Sequence, residues 1–376
     1  MRRPPLIVRS RNGAEIQTDS GKLIDFTAWD TFGIAAHPHV RAAAHSAMER
    51  FGVHSVSSSA RTGRTDIHQL AEETIASKLA AERAVLFPSR SQAMISLITA
   101  GVNLKGGPLI VDSSVSSPAL DACHLAEIPS GRSDLRAVNI VEAPRGHESL
   151  LGSAPHGVAV IEPVSKIGFH IPNISILLYK LTIPIIADET FSFGLTGLLG
   201  VGNFPPPVLN CLPLARVVGF ESSLGLPCCA IVGNANVIDG IAISSASLSG
   251  ELGVSPAEAA SVVSGLEILE RMTGRREELA LRSSNLITGL ASVGLKAVSS
   301  EPVPIIALQF ASRKVAREFC SGLASRGFVV DELGCLTPLS PLAYVRISLN
   351  VAHTATQLEQ LVRNAMEISK KVQPPH

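Results

Sequence analysis

The stretch that decides the fold is "IPIIADETFSFGLTGLLGVG", residues 183–202. A short apolar run, typical of a buried strand, ends in the acidic pair Asp188 and Glu189. The tripeptide Ser-Phe-Gly follows at 192–194, and further glycines stand at 197, 200 and 202. Ligands of α/β proteins bind at the carboxyl ends of strands, so polar residues placed directly after a strand are candidates for chemistry.

Similar apolar runs recur along the chain, spaced by helical patterns. They are "AVLF", "PLIVD", "GVAVIEP", "RVVGF" and "CCAIVG", and the intervening segments include "VRAAAHSAMERF", "DIHQLAEETIASKLA" and "SPAEAASVVSGLEILERM". Short strands alternating with helices indicate a mostly parallel central sheet with helices on both faces. The predicted fold class is therefore α/β.

The pattern changes near residue 275, where a second, smaller set of elements begins. A helix, the strand-like "PIIALQF", another helix, two further strand-like runs and a last helix follow. We therefore predict three parts: an N-terminal segment over 1–45, a large domain over 46–275, and a small C-terminal α+β domain over 276–376.

Composition excludes several classes of protein. Hydrophobic residues make up 46% and charged residues 17% of the 376 positions, which is typical of a globular protein. Lys plus Arg equals Asp plus Glu at 32 each, so no basic excess favours nucleic acid. The most apolar segment, "ISILLYKLTIPIIAD", is broken by Lys180 and Pro184 and is too short to span a membrane. Six scattered cysteines fit buried thiols in a reducing compartment, and we expect a cytoplasmic protein without a metal site.

The acidic pair and its glycine series resemble the Asp-Glu-Ala-His-Ser-x-Gly-x-x-Gly-x-x-Gly-x-Gly signature of the α-oxoamine synthases. These fold-type I pyridoxal-phosphate enzymes condense an amino acid with an acyl-CoA and release carbon dioxide. Four other segments follow in the family's order, so the resemblance extends from about residue 22 to 365. They are "HPHVRAAAHSAMERFG", "SARTGRTDIHQLAEETIA", "LFPSRSQAMISLI" and "YVRISLNVAHTATQLEQLV".

The departures from the family pattern are informative. In "GFESSLG" the family's Schiff-base lysine is replaced by Ser222, whose hydroxyl cannot form an imine. Ser116 stands at the position of the histidine that stacks on the cofactor ring, and Phe191 at that of the histidine that bonds its phenolic oxygen. The glycine of the phosphate-binding turn is replaced by Arg90. The resemblance therefore predicts no catalytic residue in this chain.

Some polar positions of the family are retained. Asp188 matches the carboxylate that pairs with the pyridine nitrogen, and Arg346 matches the arginine that binds a substrate carboxylate. Both residues could equally form structural ion pairs. Ser244 and Ser245 lie near the position from which the family's neighbouring subunit bonds the cofactor phosphate, although they could simply cap a helix.

One branch of the family has a similar set of losses: the non-catalytic first subunit of eukaryotic-type serine palmitoyltransferase lacks the lysine and the stacking histidine. The paired Cys228-Cys229, the following "ANVID" and the turn "SSASLS" are similar to that subunit. The resemblance implies a heterodimer with a lysine-containing homologue that holds pyridoxal phosphate in its own site. The eukaryotic subunit has an N-terminal membrane segment, and we expect none here.

Two alternatives stay open. The chain could bind pyridoxal phosphate through a relocated lysine, of which Lys166 in "IEPVSKIGF" is the best placed. It could instead be a binding protein that holds an acyl-CoA or a small acid in the remnant cleft, anchored by Arg346. A homodimer is also possible.

Overall fold

A computed structural model describes residues 6–105, 109–112, 115–130, 136–138, 157–165, 168, 184–204, 214–299, 303–334 and 343–372. The chain divides into two compact units. We call residues 34–165 and 171–271 the sheet unit, and residues 1–33, 166–170 and 272–376 the terminal unit.

The described part of the chain contains the following strands and helices. The strands are β1 (Val8–Asn12), β2 (Glu15–Thr18), β3 (Gly21–Asp25), β4 (Arg83–Phe87), β5 (Leu109–Asp112), β6 (Arg136–Val138), β7 (Val158–Ile161), β8 (Ile185–Asp188), β9 (Ala215–Gly219), β10 (Cys229–Gly233), β11 (Ile305–Phe310), β12 (Phe328–Val329), β13 (Asp331–Gly334) and β14 (Ala343–Ser348). The helices are α1 (Pro38–Phe51), α2 (Asp66–Lys78), α3 (Arg90–Lys105), α4 (Ser117–Ser130), α5 (Glu221–Leu224), α6 (Ala235–Ser244), α7 (Ala246–Gly250), α8 (Pro256–Glu270), α9 (Thr273–Ser292), α10 (Arg313–Ala324) and α11 (Ala355–Val372).

The sheet unit is built on seven strands in the order β4-β10-β9-β8-β7-β5-β6. The pairs from β9 to β6 are parallel, whereas β10 is antiparallel to both β4 and β9. The predicted mostly parallel sheet is confirmed. Strand β4 therefore runs in the same direction as β5, β7, β8 and β9, and all five carboxyl ends lie at one edge of the sheet.

Buried apolar side chains explain why these strands form the centre of the unit. Strands β7, β8 and β9 are buried along their whole length, as expected for parallel strands covered by helices. Helix α3 contacts β4, β7, β8, β9 and β10, and it buries Met94, Leu97 and Ile98. Helix α8 begins with Pro256 after a capping box formed by Ser255 and Glu258, and it packs on α1 and α2.

The terminal unit contains two small sheets, ordered β1-β2-β3-β12 and β11-β14-β13. Strand β3 pairs in parallel with β12, with Ile24 opposite Phe328. This pairing explains why residues 1–33 group with the C-terminal part, whereas the sequence predicts a separate segment over 1–45. The second boundary lies between residues 271 and 272 in the structure, a few positions before the predicted 275/276.

Cys228 and Cys229 are free thiols. Cys123, Cys228 and Cys229 are buried and Cys320 is half-buried, while Cys211 and Cys335 lie outside the described residues. Burial raises the pKa of Cys228 and Cys229 well above the ordinary value, so both are protonated thiols. No helix in the described parts of the chain is long and apolar enough to cross a membrane.

Candidate functional site

The carboxyl edge of the large sheet carries a cluster of buried polar side chains. Arg90 follows β4, Ser116 follows β5, Glu162 follows β7, Asp188 ends β8 and Ser222 follows β9. Each of these side chains is buried. The topology thus brings together residues that are up to 132 positions apart in the chain, as the end-of-strand rule predicts.

Arg90 lies at the centre of this cluster. Its Nε donates to Asp188 Oδ2 over 2.5 Å, and its Nη2 donates to Ser116 Oγ over 2.6 Å and to Glu162 Oε1. Burial alone would lower the pKa of Arg90, but the charges of Asp188 and Glu162 outweigh it and raise the pKa above the ordinary value. The guanidinium is therefore a permanent buried cation.

Asp188 has no unused oxygen in this arrangement. Oδ2 accepts from Arg90, while Oδ1 accepts from the backbone N–H of Thr190 over 3.0 Å and from its hydroxyl over 2.6 Å. The ring of Phe191 lies beneath the Arg90 guanidinium, 5.3 Å from Cζ to the ring centre, within cation–π range. Three of the residues that the resemblance assigned to cofactor contacts, Asp188, Ser116 and Phe191, thus all contact Arg90.

Two further acids belong to the cluster, and sequence reasoning did not assign them to the site. Glu162 accepts from Arg90 and, through Oε2, from the Ser116 backbone N–H over 2.7 Å. Burial raises the pKa of Glu162 to about 7, and it raises the pKa of Glu221 to about 7 as well, with Asp188 adding to both and Arg90 opposing. The available signal was position, since Glu162 comes directly after the strand-like "VAVI".

Ser222 lies in α5, the single helical turn that follows β9, and its side chain is 3% exposed. The carboxylate of its neighbour Glu221 approaches the end of β9 so closely that a Cβ at Gly219 would lie 2.6 Å from Oε2. The same Cβ would lie 2.7 Å from Thr190 Oγ1, which places Glu221 beside the residue that bonds Asp188. The position expected for the lysine is therefore at the predicted sheet edge.

The second acid of the pair has a different role. Glu189 binds Arg216 through Oε2, 2.6 Å from Nε, and accepts the Asn203 backbone N–H over 2.7 Å. Gly202 has φ +90°, and a Cβ there would lie 2.2 Å from Glu189 Oε1. The glycine series thus lets the backbone close over Glu189, and this ion pair holds the loop.

The cluster does not fit a bound pyridoxal ring. The resemblance places the ring between Asp188, the position of Ser116 and the position of Phe191, and the Arg90 guanidinium occupies that space. The carboxylate that would pair with a pyridine nitrogen already holds a cation. No imine-forming amine is present at Ser222. Pyridoxal phosphate would supply an electron sink for bond breaking at an amino acid's α-carbon, but the Asp188 carboxylate that would hold its ring nitrogen is bound to Arg90.

Arg346 lies in β14 of the terminal unit, and it is 4% exposed. Its Nη2 donates to Asp331 Oδ2 over 2.6 Å, and the guanidinium lies 5.2 Å from the ring centre of Trp29. Its Nε is buried and has no hydrogen-bond partner among the described residues. Burial lowers the pKa of Arg346, and Asp331 opposes the shift. The residue therefore retains a donor that a carboxylate could use.

The two candidate serines differ in their contacts. Ser245 is buried, caps α7 through Leu248 N–H over 3.4 Å, and shares a hydrogen bond with Ser96 Oγ over 2.9 Å. Ser244 is exposed and donates to Gly240 O within its own helix over 2.8 Å. Ser245 therefore does cap a helix, whereas Ser244 does not. Lys166 lies outside the described residues.

Comparisons with known proteins place the chain in a family. A family model described as "Aminotransferase class I and II" matches residues 171–364, slightly more than half of the chain. The 8-amino-7-oxononanoate synthase of Xylella fastidiosa strain M12 is 25% identical over 364 residues, which cover 95% of this chain and 88% of that protein. The enzyme of the same name from Pseudomonas putida strain GB-1 is 26% identical, with 97% and 92% covered.

Solved structures agree on the fold. Serine palmitoyltransferase of Sphingomonas wittichii superposes with a TM-score of 0.86 at 21% identity, covering 98% of this chain and 92% of that one. An 8-amino-7-oxononanoate synthase from Francisella tularensis superposes with a TM-score of 0.79 at 18% identity, covering 93% and 98%. The resemblance to α-oxoamine synthases and the fold-type I architecture are both confirmed.

Proposed function

We propose, from the premise that this chain belongs to the aminotransferase class I and II family, that it is the non-catalytic subunit of an α-oxoamine synthase. The reaction would be the condensation of an amino acid with an acyl-CoA, as in serine palmitoyltransferase at the start of sphingoid base synthesis. Pyridoxal phosphate would lie in the site of a lysine-containing homologue, and this chain would support that site as the other half of a heterodimer.

One observation carries the proposal: the edge where the family performs its chemistry is present but occupied by protein groups. Ser222 stands where the lysine belongs, and Asp188 is bound to Arg90 rather than available to a cofactor. A chain that keeps the fold while its own site is filled is suited to a supporting role.

An exposed apolar group in the sheet unit supports a partner of this kind. Val53, Val56 and Leu252 are 81%, 86% and 51% exposed. They lie in two segments that the Ser58–Leu252 bridge and the bond from His54 to Gly253 O hold together. Val56 also has φ 53°, which is unfavourable for a β-branched residue. Exposed apolar patches and maintained backbone strain are both features of interaction sites.

The first experiment purifies the chain alone with pyridoxal phosphate and reads intact mass after borohydride reduction. We expect no cofactor adduct. A stoichiometric adduct on any single lysine, Lys166 included, would sink the subunit proposal in favour of a relocated Schiff base.

The second experiment co-expresses the chain with lysine-containing homologues from the same genome and measures release of CoA thiol from a panel of amino acids and acyl-CoAs. We expect activity from one pair and none from this chain alone. V56D should lower pairing and activity, whereas L281D, at an exposed leucine of α9, should change neither. An active complex that tolerates V56D would remove this patch from the interface.

A binding protein for a small acid is the second candidate, and the unpartnered Nε of Arg346 favours it. Titration of the chain with short-chain carboxylates and acyl-CoAs, followed by calorimetry, tests this function. Binding that is lost in R346Q, in a chain that activates no homologue, would favour it over the subunit role.

A further inference from the structure

We infer that Arg90 is a built-in replacement for the cationic ring of the cofactor, so that it keeps this site closed to pyridoxal phosphate even when a lysine is supplied. The inference goes beyond the subunit proposal, because it assigns the closure to a residue of this chain and does not depend on any partner. The two can therefore fail separately.

The first argument is positional. Arg90 begins α3 directly after β4, at the sheet edge where the neighbouring strands deliver Ser116, Glu162 and Asp188. Its side chain is 7% exposed and extends into the space between them instead of towards solvent. A glycine at this position, as the family pattern has it, would leave that space empty.

The second argument is electrostatic. A buried carboxylate is stabilised by a positive partner and is costly without one. In the family that partner of the aspartate is the protonated pyridine nitrogen, and here it is the Arg90 Nε, 2.5 Å from Asp188 Oδ2. The guanidinium also lies 5.3 Å from the ring centre of Phe191, at the position of the histidine that bonds the cofactor's phenolic oxygen. One side chain thus supplies a positive charge to Asp188 and contacts all three positions to which the resemblance assigns cofactor contacts.

The third argument is that hydrogen bonds hold the Arg90 guanidinium to the rest of the sheet edge. Glu162 accepts from Arg90 through one oxygen and from the Ser116 backbone N–H through the other. This bridge ties Ser116 to the guanidinium through Glu162, and it orients the guanidinium towards Asp188. An arginine held by two acids, a hydroxyl and a ring has no rotamer change that would admit a ligand without breaking several buried contacts.

The test compares S222K with S222K/R90G. Both variants receive the family's lysine, but only the second receives its glycine. Each is incubated with pyridoxal phosphate, reduced with borohydride and digested, and the adduct at position 222 is quantified by mass spectrometry. We expect little or no adduct in S222K and a clear gain in S222K/R90G. An adduct that forms equally in the two variants would overturn the inference.

Two further measurements keep the result interpretable. If S222K/R90G does not fold, S222K/R90A replaces it, since the alanine side chain releases Asp188 and vacates the guanidinium position. In R90G alone, N-methylguanidinium should raise the melting temperature more than methylammonium at equal concentration, because it restores the planar cation. A folded R90G that shows no such preference, together with an S222K/R90A that gains no adduct, would also overturn the inference.

The outcomes separate this inference from the proposed function. An adduct on a lysine of the wild-type chain would contradict the subunit role and leave the Arg90 closure to be judged from position 222. Equal adducts in S222K and S222K/R90G would contradict the closure, while the partner assay would still decide the subunit role.

Discussion

Two buried arginines, one in each unit, differ in how completely the protein itself satisfies their guanidinium groups. Arg90 binds two acids, a serine hydroxyl and an aromatic ring, and the acids raise its pKa. Arg346 binds one acid, Asp331, and lies against the ring of Trp29, while its Nε has no partner in the described part of the chain and burial lowers its pKa. Arg90 is therefore held by protein groups alone, whereas the buried Nε–H of Arg346 could still donate to a ligand. Family position alone does not reveal this, because the contacts decide whether a polar residue is available.

We expect the largest loss in the free energy of unfolding when Arg90 is removed. R90A leaves Asp188 and Glu162 buried without a cation, and we expect a loss of about 3–5 kcal/mol in the free energy of unfolding, measured by urea titration. The matched control is R83A, which breaks an exposed pair with Asp239 and should cost no more than about 1 kcal/mol. Equal costs for the two variants would contradict the central role of Arg90.

Removing the other arginine should cost less. R346Q loses one hydrogen bond to the partly exposed Asp331, so we expect about 1–3 kcal/mol by the same titration. Small carboxylates should raise the melting temperature of the wild-type chain and leave that of R346Q unchanged. If R346Q proves as destabilising as R90A, the two arginines do not differ in the way their contacts indicate.

The acids around Arg90 should give the protein a measurable pH dependence. Between the ordinary pKa of 4.5 and the folded value of about 7, folded Glu221 keeps a proton that the unfolded chain has released. The folded state then binds more protons, so the contribution of Glu221 to stability falls as pH rises through this window. Relative to wild type, E221Q should therefore gain about 1–3 kcal/mol between pH 5 and pH 8 in urea unfolding.

His353 in the terminal unit acts in the opposite direction, so the comparison needs its own control. Burial lowers the pKa of His353 from 6.5 to about 4, and its contribution to stability is lost as pH falls through that range. Comparing E221Q/H353N with H353N isolates the contribution of Glu221 to the pH dependence of the free energy of unfolding. A difference between E221Q and wild type that does not change with pH would show that Glu221 titrates normally.

We expect the smallest effects at two serines, of which Ser245 is buried and hydrogen-bonded whereas Ser244 is exposed. S245A removes a helix cap and a bond to Ser96, and we expect a loss of about 1 kcal/mol in thermal or urea unfolding. S244A removes an exposed bond within a helix and should change stability by less than about 0.5 kcal/mol. If S244A nevertheless lowers the activity of the assembled complex, its hydroxyl contributes to the partner's site.

Sequence reasoning predicted the elements at this sheet edge better than their contacts. The run before Asp188, the strand before Ser222 and the mostly parallel sheet all follow from local periodicity, which reports burial directly. Arg90 was identified only as a departure from the family's glycine, and Glu162 was not assigned to the site. Glu162 and Asp188, the acids that bind Arg90, lie 72 and 98 positions from it in the chain, and no local pattern encodes such a pairing.

The sequence by itself determined the family and the α/β architecture, and it predicts that Ser222 replaces the lysine, since motifs and hydrophobic spacing are local properties. Only the tertiary structure decided that residues 1–33 group with the C-terminal part, through the pairing of β3 with β12. It also decided that the Arg90 guanidinium fills the space between Ser116 and Asp188. Both results depend on which distant strands become neighbours in a sheet, and that choice is fixed by packing of the whole chain.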